Sequence, residues 1–236
     1  MSYLLKTSPP NSRTWSVNLR CLSQKYGLPY PLTWLQSDPL EKSSFKEIIN
    51  TKISSYFEKE LREMATTNSR MKFFNVSIAS LRGNVHPVLA NMVSTYEVKK
   101  CRIHVKMLTG DYLTYAVKSK QSGGSPECRL CCSLPSYNED IAHIITVCSA
   151  YSEIRKRILD EYFNLSEQID FPFQEIVNNN ETLCQFILDP TSLNLNRRLQ
   201  GNNDKLFDFL KISRDYCFGV HETRMRLLNS LMITSC

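Results

Sequence analysis

The hydrophobic positions of this chain fall mostly at helical spacing. Trp15, Leu19, Leu22 and Tyr26 recur three or four residues apart, Ser12 stands where an N-cap belongs, and Gly27 with Pro29 stops the run. A proline-rich linker then reaches Pro39. Ser43 or Ser44 can cap a longer helix whose stripe is Phe45, Ile48, Ile49, Ile53, Tyr56, Phe57 and Leu61, broken at Thr66-Thr67-Asn68. Residues 70–93 fit no single period, and Gly83 and Pro87 cut them into two short apolar segments.

From Thr95 the pattern sharpens. Val98, Cys101, Val105 and Leu108 share one face, and Lys99, Arg102 and Lys106 share another. The spacing predicts an amphipathic helix over 95–109 with a row of cations, ended by Gly110, with His104 at the boundary between the faces. Further on, Tyr151, Ile154, Ile158, Leu159 and Tyr162 predict a helix bearing an Arg155-Lys156-Arg157 cluster. Phe171-Pro172 leads a short helix, and Asn180 caps a segment closed by Asp189-Pro190. Residues 191–203 read as a polar loop. From Asp204, Leu206, Phe209, Leu210, Cys217, Val220, Leu227, Leu228 and Leu231 trace a last stripe that Gly219 interrupts and is expected to kink. Such a stripe is core, or a partner surface if nothing in the chain covers it.

The expected fold is mainly α: an irregular helical bundle with a small Cys-Cys-His-Cys knuckle inserted between helices. It divides into a disordered lead-in (1–11), a helical region (12–122), the knuckle and its following helix (123–165), and a helical C-terminal region (166–236). Ordinary aliphatic and aromatic content argues against wholesale disorder. No apolar run is long enough to span a bilayer, and MSYLLKTSPP lacks a signal-peptide core, so an intracellular site, nucleus or cytoplasm, and no membrane partner are expected. There the nine cysteines serve as thiols and metal ligands rather than disulfides.

Charge adds one feature. The chain carries a net +6, yet residues 62–120 alone hold ten Lys or Arg against three acids. A middle segment holding the net charge is either a phosphate-facing surface or a solvated helical face.

The sharpest chemistry lies between Gly123 and Tyr151. Cys128-x-x-Cys131 and His143-x-x-x-x-Cys148 supply three thiols and one imidazole, the set a four-coordinate structural zinc prefers. Gly123, Gly124 and Pro126 make the approach to the first pair a loop, and Asp140 is placed to cap the turn carrying His143. His143 and Cys148 stand five apart, about 140° around an ideal helix. The helix end must loosen there, or Cys148 must lie just past it, for both to reach one ion. Cys132 is a rival ligand, and ordinary buried thiols beside a loop histidine are the alternative reading.

These residues carry a resemblance. The cysteine pair, Glu139-Asp140, Ala142-His143-Ile144-Ile145, Cys148, Tyr151 and Arg155 are similar to the zinc-binding segment at the C-terminal end of non-LTR retrotransposon reverse transcriptases. Upstream, Arg102, Met107-Leu108-Thr109-Gly110 and Tyr112-Leu113 resemble the basic element leading into it. Thr14-Trp15, Tyr26-Gly27-Leu28-Pro29 and Phe45-Lys46 resemble the helical segment after the polymerase thumb. The likeness runs over residues 12–165. The departures are a longer insert before His143, and Cys132 where a small residue is commoner. The resemblance implies a zinc cofactor and contact with template RNA or target DNA, through Lys99, Arg102, Lys106, Arg129 and Arg155. It also implies a polymerase domain as a possible partner.

No catalytic centre is expected. Nucleotide polymerisation needs clustered aspartates for two metals, and the nine aspartates here include no adjacent pair. Gly-rich phosphate loops and the Gly-x-Ser-x-Gly elbow are absent. The nearest approach to a nuclease constellation is Asp189, Asp204 and Lys205, in the wrong order and spacing. No small-molecule substrate is expected. Two readings follow: a zinc-stabilised nucleic-acid-binding module, or a helical interaction domain in which zinc only staples the fold.

Overall fold

The computed structural model describes residues 15–29, 41–67, 69–76, 85–131, 137–193 and 203–234. The predicted lead-in (1–11), Ser12 and Cys132 lie outside them. The chain is mainly α-helical, and the α-helices among the described residues are α1 (Trp15–Tyr26), α2 (Lys42–Thr67), α3 (Thr95–Leu108), α4 (Tyr115–Ser122), α5 (Ser152–Glu167), α6 (Phe173–Val177), α7 (Asn180–Leu188) and α8 (Asn203–Thr234). Among the described residues the one β-type pairing is an isolated antiparallel bridge between Glu127 and Asn138. No helix among them is long and apolar enough to cross a membrane.

Two compact units form. The first, residues 1–64 with 79–84, holds α1 and most of α2. α1 stops at Tyr26 because Gly27 takes a left-handed conformation, φ 60°. Tyr26 meets Tyr56 edge-on at 5.0 Å and Phe57 at 5.9 Å. α2 buries no residue along its length, and Phe57 and Met64 are exposed. Its apolar stripe is therefore a contact line and not a core.

The second unit, residues 65–78 and 85–236, contains the core. α8 is its spine, packed along α3 and α5. Tyr162, Phe173, Phe186 and Phe209 gather around one point with ring centroids 5.2–6.0 Å apart. All four are fully buried, and such aromatic pairs add about 0.5–1.5 kcal/mol each beyond burial. The Tyr162 hydroxyl stays satisfied through Ser213 Oγ at 2.7 Å. α8 runs unbroken through Gly219. The cost of about 1 kcal/mol for a mid-helix glycine is outweighed by burial of Tyr216, Cys217 and Val220 around it.

α3 starts at Ser94, whose hydroxyl accepts from Glu97 N, and ends before Gly110, φ 72°. A Cβ at Gly110 would come within 2.4 Å of Arg70 Cβ, so both conformation and space call for glycine. Its buried face is rotated from the expected one: Cys101, His104, Met107 and Leu108 point inward while Val98 is exposed. His104 is not a boundary residue. It is fully buried, and its Nε2 lies 2.7 Å from the Leu188 carbonyl at the end of α7, while α8 packs along the same helix. The turn after α7 is fixed by Asp189, also fully buried, whose carboxylate accepts from the backbone N–H groups of Asn75 and Thr191.

Burial lowers the His104 pKa from 6.5 to about 4. The unfolded chain therefore binds a proton that the folded chain excludes. Stability from this site is complete above pH 6.5 and falls as pH drops towards 4. Zinc-saturated protein should lose about 2 kcal/mol from this group between pH 7 and pH 5 in urea unfolding, and His104→Gln should flatten the slope by that amount.

Candidate metal centre

Two local structures bring the site together. The first is a short hairpin. α4 closes on Gly123, φ 76°, and Gly124 follows at φ 99°, turning the chain back. Cys128 N donates to the Tyr137 carbonyl at 2.9 Å and Glu139 N to the Pro126 carbonyl at 2.8 Å. The clamp holds Cys128 at the hairpin's base, with Cys131 in the loop beyond.

The second is a turn of π-helix over His143–Val147. Asp140 caps its start, accepting from His143 N at 2.8 Å as its position in the sequence predicts. Cys148 N then donates to the His143 carbonyl at 2.8 Å. This i→i+5 bond widens the turn so that the fifth residue returns over the first, bringing thiol and imidazole to the same side. Both expected routes are used at once, for Cys148 is also the C-cap, with φ −54° and ψ 123°.

The ligand atoms of Cys128, Cys131, His143 and Cys148 all lie within 4.8 Å of one another. Cys128 Sγ is 3.8 Å from Cys148 Sγ, and Cys131 Sγ is 3.4 Å from His143 Nε2. His143, Cys131 and Cys148 are buried and Cys128 is half-buried. The His143 ring stacks on Tyr137 at 5.5 Å, and its Nδ1 has no hydrogen-bond partner among the described residues. The seven described cysteines are free thiols. A hydrogen bond from the Cys148 thiol, helped by His143, favours the Cys128 thiolate. Sharing that proton and burial push Cys148 the other way. Two bare thiolates so close repel, whereas a bound cation would let all three sulfurs ionise. The cluster could hold a metal ion.

The surrounding shell was only partly legible in the sequence. Arg155, half-buried on α5, donates to the carbonyls of Ile145, Val147 and Cys148, the last at 2.8 Å. Tyr216 on α8 donates to the Ile145 carbonyl at 2.6 Å. These donors satisfy carbonyls that the widened turn leaves out of α-helical pairing. Glu139 is fully buried, accepts from Arg224 at 2.6 Å and from Tyr115 N at 2.9 Å, and lies 3.9 Å from Cys128 Sγ. Burial raises its carboxyl above the usual range against the pull of Arg224. Arg224 is itself buried, with its guanidinium 5.5 Å from the Tyr112 ring. Sequence reasoning missed this pair, and no local signal marks residues 85 positions apart.

The remaining candidate residues are dispersed. Lys99, Arg102 and Lys106 are exposed along α3, and Arg129 is exposed in the hairpin with its guanidinium 5.0 Å from the Tyr115 ring. None of these four is in an ion pair among the described residues. Their neighbour Lys100, by contrast, is held by Glu97 and Asp215.

No family model, curated protein or solved structure matches this chain.

Removing one partner of the buried pair strands the other charge. Glu139→Ala should cost about 3–5 kcal/mol of stability, while the double change Glu139→Gln, Arg224→Met should recover most of it. Urea unfolding of the three proteins at one metal concentration checks this.

Proposed function

We propose that this chain is a non-catalytic, zinc-stabilised nucleic-acid-binding module, similar to the C-terminal region of a non-LTR retrotransposon reverse transcriptase. In this reading it acts inside the cell, in nucleus or cytoplasm, and contacts template RNA or target DNA through phosphates. A polymerase domain is its natural partner.

One observation carries the zinc assignment. Tetrahedral zinc with bonds of about 2.3 Å to sulfur and about 2.0–2.1 Å to nitrogen separates two sulfurs by about 3.8 Å and a sulfur from a nitrogen by about 3.6 Å. Two of the cluster's six separations, Cys128–Cys148 and Cys131–His143, are 3.8 Å and 3.4 Å, and all six lie within 4.8 Å. Three thiolates and one imidazole complete four-coordination without an open position, the pattern of a structural site. Cys128, Cys131, His143 and Cys148 would hold the ion, and its role is to staple the hairpin to the π turn.

Nucleic-acid contact is supported by the open cationic face of α3. Lys99, Arg102 and Lys106 stand exposed on a helix whose opposite face is core, so they are positioned without being neutralised. The second reading, a protein-interaction domain, draws on the exposed Phe57 and Met64 of α2. Short RNA or DNA bound by neither face at low salt would leave that reading alone.

Purified protein should contain about one zinc per chain. Cys148→Ser should lose it and Cys21→Ser, an exposed thiol, should keep it, read by elemental analysis. Equal zinc in both would reject these ligands. In the nucleic-acid arm, log affinity should fall linearly with log salt, and each alanine at Lys99, Arg102 or Lys106 should reduce the slope by about 1.

A further inference from the structure

A groove of about 1050 Å³ opens between α3, α4, the metal hairpin and the far half of α8. Two kinds of surface meet in it. Three exposed cations, Lys106, Lys118 and Arg129, line it against a single acid, Asp111, since its fourth cation, Arg224, is already paired with Glu139. None of the three exposed cations is in an ion pair among the described residues. Beside them the walls are apolar and aromatic. Leu113 and Met225 stand 54% and 44% exposed, and Tyr112 and Tyr115 form part of the lining.

That combination selects among anionic ligands. A double helix offers phosphates outward but keeps its bases stacked inside, so exposed leucine and methionine would gain nothing from it. A single strand offers phosphates and unstacked base faces together. Arg129 has a second property. Its guanidinium already lies 5.0 Å from the Tyr115 ring, so it stands in the groove as a planar cation of the kind on which bases stack. It also sits between the ligands Cys128 and Cys131, so the cluster that orders the hairpin sets the position of this wall.

We propose that this groove is a binding site for single-stranded nucleic acid, with bases against Arg129 and the apolar wall and phosphates at Lys106 and Lys118, and that metal loading completes it. The inference rests on the nucleic-acid reading above and specifies the strand state and the place. Lys106 is where the cation row of α3 enters the groove, while Lys99 and Arg102 lie outside its lining.

The test is fluorescence anisotropy on the full zinc-loaded chain with a labelled short RNA, the same RNA annealed to its complement, and the same RNA with abasic positions. Single strand should bind about tenfold more tightly than duplex or abasic strand. Arg129→Ala and Lys118→Glu should each weaken single-strand binding about tenfold, with zinc content and helical circular dichroism unchanged. Lys156→Glu, the same charge change on an exposed residue of α5, should stay within about twofold. Equal affinity for all three RNAs, unmoved by Arg129→Ala and Lys118→Glu but weakened by Lys99→Ala and Arg102→Ala, would overturn the groove and leave the phosphate reading standing. No binding of any RNA or DNA at low salt would overturn both. Displacement of bound RNA by an acidic amphipathic peptide of higher affinity would assign the groove to a protein partner and overturn the proposal.

Discussion

The hydrogen bond from Cys148 N to the His143 carbonyl governs the rest of this molecule's chemistry. On a regular helix the imidazole and the thiol would diverge, and no single ion could reach both. The π turn removes that divergence, but it leaves carbonyls without α-helical donors in a buried place. Arg155 from α5 and Tyr216 from α8 supply the missing donors. The ligand geometry is therefore a property of the whole second unit, because the elements that satisfy the turn also build the core around Tyr162 and Phe209. The hairpin brings the other two sulfurs by a separate route, its own backbone pairing at Pro126–Cys128.

The buried Glu139–Arg224 pair lies on the other flank of the cluster. A carboxylate next to thiols works against ionising them, and here Arg224 offsets its charge within 2.6 Å. The same arginine sits against the Tyr112 and Tyr115 rings and so ties the hairpin base and the start of α4 to α8. Desolvating two ions is expensive, and the pair is a poor source of net stability. What it supplies is a direct link between the hairpin base and α8 across 85 positions of the chain.

Residue patterns made visible whatever depends on neighbours in sequence. Gly27 ending α1, Asp140 capping the turn that carries His143, Gly110 closing α3 and the four residues of the Cys/His cluster were readable, because caps, left-handed turns and short Cys/His spacings are local. What stayed hidden depends on partners far along the chain. His104 reads as a boundary residue from α3 alone and becomes core only because Leu188 arrives over it. Glu139 reads as one of two acids before a helix, and Arg224 alone makes it a buried ion. Gly219 reads as an interruption, yet the burial on either side of it holds α8 straight through. The loosening between His143 and Cys148 was foreseeable as a need, but its form as an i→i+5 turn was not, since the donors that stabilise it come from α5 and α8.

The basic character of the middle segment resolves, in three dimensions, into two populations with different physical roles. Where an acid or a stranded carbonyl is within reach, the cation is consumed by the fold. Within the segment Lys100 meets Glu97 and Asp215; beyond it Arg214 meets the Ala90 carbonyl and Arg155 meets the π turn. Lys99, Arg102 and Lys106 share a helix with Lys100 but stand exposed, with no ion pair among the described residues. A sum of charges over residues 62–120 cannot separate these cases, since neighbouring lysines on one helix differ only in the face they occupy. The surplus that matters for an anionic partner is thus smaller than the count and more concentrated. It collects where α3 passes the Cys128–Cys131 hairpin, where Lys106, Lys118 and Arg129 stand exposed beside a single acid of the groove, Asp111.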